Sequence, residues 1–93
     1  MNAAADTPTT DWMPQIAHGH RLQWEEVQKS WVLLYPEGMV RLNGSAGEIF
    51  QRCNGQSSVE ALISELEAKF QIEGIGPEVK QLLSEGARRG WIV

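Results

Sequence analysis

The chain has 93 residues, 42% of them apolar and 22% charged, which bounds it to one domain of ordinary globular character. Eight Lys and Arg against twelve Asp and Glu leave a net charge of -4. That balance argues against a general nucleic-acid binder, which needs surplus positive charge to displace counterions from phosphate. The single cysteine, Cys53, excludes an intramolecular disulfide and a cysteine-rich zinc site, and fits a reducing compartment.

Residues 1–19 read as a disordered tail. They hold Ala, Thr, Asp and Pro without an apolar period, and Pro8 and Pro14 prevent a continuous helix. Trp12, Met13 and Ile16 are the residues there that could dock on something. The segment has neither the basic region nor the apolar run of a signal peptide. No stretch approaches the roughly 20 apolar residues of a membrane span, so the expected location is the cytoplasm, with no membrane partner.

From residue 20 the character changes. Leu22 and Trp24 alternate with Arg21 and Gln23, which predicts a first strand. Gln28 and Lys29 suit a turn. SWVLLYPE is aromatic and branched on both faces, as a central strand is, and Pro36 ends it. MVRLN, residues 39–43, predicts a short third strand at the edge of the sheet, with Val40 and Leu42 on one face and Met39, Arg41 and Asn43 on the other.

The second half is helical. Ser45 and Glu48 have the spacing of a capping box, and Ala46, Ile49, Phe50 and Cys53 follow as an apolar stripe closed by Gly55. Ser57 and Glu60 repeat the box ahead of Val59, Leu62, Ile63, Leu66 and Phe70. QIEGIG is a loop. Pro77 opens a third helix whose stripe is Val79, Leu82, Leu83 and Ala87, and Gly90 stops it. Trp91, Ile92 and Val93 form a short final strand or pack on the core. Three strands followed by three helices predict an α+β fold, a winged-helix-like unit with a three-stranded antiparallel sheet.

Catalytic and metal-binding chemistry finds little support. His18 and His20 lack a third ligand, so solvated side chains explain them. Cys53 on an apolar stripe is a small buried hydrophobe rather than a nucleophile. The ten glutamates fall mostly on polar helix faces, and GSAG does not follow a strand in the phosphate-binding pattern. A DNA-reading third helix would lead with Glu78 and carry Arg88 and Arg89 at its far end, the reverse of what phosphate favours. A winged-helix DNA-binding regulator is therefore disfavoured, and a ligand-free oligomeric structural subunit is the other alternative. Binding of an extended peptide fits better. The third strand offers an unpaired edge beside a partly apolar helix, and backbone pairing there gives affinity while alternate side chains give selection. An ordinary edge strand, blunted by Arg41, accounts for the same residues equally well.

The segment W-V-L-L-Y-P-E at 31–37, then Leu42, Asn43, Ala46, Ile49, Cys53, Gly55 and the closing G-W-I at 90–92, resembles the PqqD family of pyrroloquinoline quinone biosynthesis. The resemblance covers residues 20–93. Asn54 stands where Asp is expected before the glycine, and Phe50 where Leu is expected. Both departures bear on helix ending and packing. The resemblance implies a winged-helix-like recognition element of ribosomally made peptide pathways, without catalysis and without a cofactor of its own. It implies a peptide chaperone that binds the precursor peptide PqqA as an added strand and presents it to the radical S-adenosylmethionine enzyme PqqE. Carried over by position, Met39, Val40, Arg41, Leu42 and Asn43 pair with the peptide. Val79, Lys80, Leu83, Ala87 and Arg88 line the other wall, with Leu83 as the leading contact. The open edge also predicts a weak homodimer when no peptide is present.

Overall fold

The computed structural model describes residues 11–93. Three strands, β1 (Arg21–Glu25), β2 (Ser30–Tyr35) and β3 (Gly38–Arg41), precede three helices, α1 (Gly44–Gln51), α2 (Val59–Phe70) and α3 (Gly76–Arg88). The sheet is antiparallel in the order β1-β2-β3, so the apolar β2 is central and both β1 and β3 are edges. The expected α+β architecture stands.

The register stacks Leu22, Leu33 and Val40 across one face, with Trp24, Trp31 and Leu42 beside them. This face carries the helices. Leu33 and Leu42 join Ala46, Ile49, Phe50, Val59, Leu62, Leu66, Val79, Leu83 and Ile92 in one buried core. Trp31 lies so close to α1 that a Cβ on Gly47 would meet its Cδ1 at 2.8 Å. The opposite face pairs Gln23, Val32 and Arg41.

The helix boundaries differ from the expected caps. Asn43, not Ser45, caps α1, its Oδ1 accepting from the Ala46 N–H at 2.7 Å. Glu48 is turned to Arg52 instead, at 2.9 Å. Ser58, not Ser57, caps α2 through Ala61 N–H. In each case the chain takes the oxygen that reaches the second or third amide of the helix. Pro77 sits at the second position of α3, after Gly76. Gly90, at φ +79, closes that helix. Its N–H donates to the Ala87 carbonyl and the Trp91 N–H to the Gly86 carbonyl, the paired bonds of a Schellman ending.

The largest departure concerns the expected tail. Residues 1–10 lie outside the described residues. Residues 12–17, however, are strapped across the domain. The Gln15 and Val93 N–H groups donate to each other's carbonyls at 3.0 and 2.9 Å. Ile16 N–H donates to Cys53 O and Ala17 N–H to Trp91 O, while Pro14 O accepts from Gly55 and Trp12 O from Val59. Pro14 is fully buried. Backbone pairing to three separated segments needs no apolar period, which is why the pattern did not reveal it. The same contacts give the final residues their place, with Ile92 bridged to Ile16.

Candidate peptide-binding site

The orientation of the β3 backbone follows from one hydrogen bond. Leu42 N–H donates to the Trp31 carbonyl at 2.9 Å. In an antiparallel ladder, hydrogen-bonded pairs recur at every second residue. The next are Leu33 with Val40 and Tyr35 with Gly38. Gly38, Val40 and Leu42 therefore spend their backbone groups on β2, and Met39 and Arg41 direct theirs away from the sheet. Among the described residues, no backbone bond from outside the sheet reaches either one.

Beyond the end of β3 the surface opens into a groove of about 760 Å³. Asn43 and the first turn of α1 form one lip. Ala46 and Ile49 of α1, Leu66 and Phe70 of α2, and Val79 and Leu82 of α3 line it, with Ile72 and Ile75 from the intervening loop. The loop has a definite anchor. Gln71 in the left-handed conformation ends α2, and the Glu67 carboxylate accepts from the N–H groups of Gly74 and Ile75 at 2.9 and 3.3 Å. Phe70 and Ile72 stay nearly half exposed on this rim. No Lys or Arg lines the groove, and two carboxylates do. Glu48 is neutralised by Arg52 and by Lys69 at 3.7 Å. Glu78 has no ion-pair partner among the described residues. The site thus combines a free strand edge with an apolar trough of acidic rim, which suits an extended peptide with apolar side chains.

The family model for coenzyme PQQ synthesis protein D (PqqD) matches residues 30–92. The chain belongs to the PqqD family. A PqqA binding protein of Methylococcus capsulatus is 43% identical over 72 residues, 77% of each chain. One of Azotobacter vinelandii is 41% identical over 85 residues, 90% of this chain and 92% of the relative. Among solved structures, the PqqD truncation of Methylobacterium extorquens PqqCD matches with a TM-score of 0.82, covering 97% of this chain and 98% of that one. That structure is described as a stand-alone recognition element for ribosomally synthesised, post-translationally modified peptides. At 21% identity the likeness carries the fold, and it shows the sheet and helices of this PqqD chain to be those of the family.

Within this PqqD fold the expected contact residues separate into groups. Met39 and Arg41 are exposed on the outer face of β3, and Val40 is half-buried towards the helices. Leu42 is buried and its N–H is bonded to β2, so it supports the edge rather than pairing beyond it. Asn43 has left the strand to cap α1, and it lies at the lip of the groove. Val79 lines the same groove. Lys80, Ala87 and Arg88 lie outside it, and Arg88 is turned along its own helix to Glu85. That carboxyl is held below its usual range, chiefly by a hydrogen bond from Arg89 at 2.6 Å with Arg88 beside it. Leu83 has no exposed surface and belongs to the core, which corrects its assignment as the leading contact. Its neighbour Leu82 faces the groove. The residues from the α2–α3 loop were also missed. The only sequence signal for them is Phe70 and Ile72, apolar residues running past the end of a helix into a glycine-rich loop.

Proposed function

We propose that the chain binds the PqqA precursor peptide as a fourth strand on β3 and presents it to the radical S-adenosylmethionine enzyme PqqE. The observation that carries this reading is the unpaired backbone of Met39 and Arg41, continuous with the apolar groove at Asn43. Backbone pairing supplies affinity without demanding a sequence, and the groove selects alternate side chains. Relatives bearing the name PqqA binding protein, 43% and 41% identical in two cases, support the choice of peptide. The part played is positioning rather than bond-making. Holding the substrate beside the enzyme raises its effective concentration there.

Amide hydrogen exchange tests the mode of binding, because the sheet has two edges. With synthetic PqqA present, the Met39 and Arg41 amides slow, whereas those of Leu22 and Trp24 on the β1 edge keep their rates. Unchanged exchange at Met39 and Arg41 under saturating peptide contradicts strand addition. Adding PqqE to the loaded protein then leaves Met39 and Arg41 protected; release of that protection speaks against presentation.

A further inference from the structure

Resting on the strand-addition reading, we propose that Arg41 reads an acidic side chain of the bound peptide and thereby fixes which face of the peptide enters the groove. Arg41 is exposed on the outer face of β3, and it has no ion-pair partner among the described residues. Its backbone points away from β2, so it is one of the two residues that pair directly with an added strand. Directly paired residues place their side chains on the same face of the sheet. The peptide residue opposite Arg41 therefore stands beside the guanidinium, which favours Asp or Glu there. The peptide residues on either side of it project to the helical face, the side on which the apolar groove opens beyond β3 at Asn43. The residue opposite Met39, two positions along, stands beside an apolar side chain that is 56% exposed.

The groove supplies the opposing half of the selection. Glu78 lines it without an ion-pair partner among the described residues, and no Lys or Arg lines it, so an acidic side chain is disfavoured there. Slipping the peptide by one residue turns every side chain to the other face. Such a slip would move the acidic group from beside Arg41 to the helical face and bring the apolar residues to the outer face. The two walls thus disagree in charge, and one register satisfies both. The ligand class is a segment in which an acidic residue is flanked on both sides by apolar ones.

Arg41 also stands opposite Val32, which is only 1% exposed although it lies on the outer face. Its aliphatic stem is suited to cover that residue. The variants must separate the stem from the charge. Arg41→Met keeps a comparable stem without the charge, and Arg41→Lys keeps both. The probes are synthetic PqqA and the same peptide with each Asp and Glu replaced by Asn and Gln. The dissociation constant of each pair is measured at low and high salt. The wild type binds the acidic peptide about two- to fivefold more tightly, the range of a cross-strand charge pair. High salt narrows that preference. Arg41→Met binds both peptides alike, and Arg41→Lys retains the preference. Equal binding of both peptides by the wild type overturns the proposal while leaving peptide binding intact. So does a preference that survives in Arg41→Met. Failure of the wild type to bind either peptide removes the underlying reading and this one with it.

Discussion

Leu82 and Leu83 adjoin in sequence, yet one faces the groove and the other has no exposed surface. An apolar stripe is broad enough to hold both, so periodicity alone could not say which of the two is core. The difference yields a paired prediction. Leu82→Asp leaves the circular dichroism intact and weakens PqqA binding about tenfold, on the scale of one lost apolar anchor. Leu83→Asp unfolds the domain, at a cost of about 3 kcal/mol or more for an unpaired charge in the core. Gly47 is a second residue whose role the sequence conceals. Nothing in G-S-A-G announces that Trp31 lies against it, 2.8 Å from where a Cβ would stand. Gly47→Ala should destabilise by about 1–3 kcal/mol in urea denaturation, overpacking outweighing the gain in helix propensity. Cys53 is the residue the sequence described best. It is buried, donates to the Ile49 carbonyl at 3.4 Å, and burial pushes its thiol up to about 12. An unfolded cysteine titrates near about 8.5, so the unfolded chain loses this proton first. The contribution is complete below that pH and is lost as the pH rises towards the folded value. Between pH 7 and pH 10 the wild type should therefore lose more stability than Cys53→Ala does; an equal loss contradicts a buried neutral thiol.

At the scale of elements, each strand and helix was legible, because period 2 and period 3.6 are strong signals in β2, α2 and α3. The ends were not. Two capping boxes fit the sequence, but the real caps are Asn43, two residues before Ser45, and Ser58, next to Ser57. Spacing identifies which residues can cap, whereas the path of the chain entering the helix decides which one does. The shift at Asn43 matters for the site, since it ends β3 two residues earlier than expected and turns the chain towards the groove. The strap of residues 12–17 was illegible for another reason. It is held by backbone bonds to Cys53, Gly55, Val59, Trp91 and Val93, and these carry no side-chain pattern. Removing residues 1–17 should cost about 3 kcal/mol or more, since several hydrogen bonds and the burial of Pro14 go together. Chemical denaturation of the truncated chain checks this, and an unchanged midpoint contradicts a structural strap.

For the whole molecule, the candidate site is an edge and a trough brought together by the fold rather than a local motif. The edge could be read from the short, Gly-bounded third strand. The trough could not, because it draws on α1, α2, α3 and the loop between the last two. The family resemblance pointed to β3 and α3 without fixing which turn of the helix faces the groove. The proposed strand addition uses an edge that a second copy of the chain would also fit, so self-association would compete with peptide for it. Gel filtration over about a hundredfold dilution should show a size that falls with concentration and is monomeric with PqqA present. A size that never changes contradicts a weak dimer on this edge.

On the proposed reading, peptide, β3 edge and groove form one site. An amide chemical-shift titration of the labelled protein with synthetic PqqA tests it most directly. Shifts are expected to cluster on Met39–Arg41 and on Ile75, Val79 and Leu82, with Leu22 and Trp24 unmoved. If no amide moves at millimolar peptide, or if the shifts gather on β1, the peptide does not occupy the β3 edge and groove.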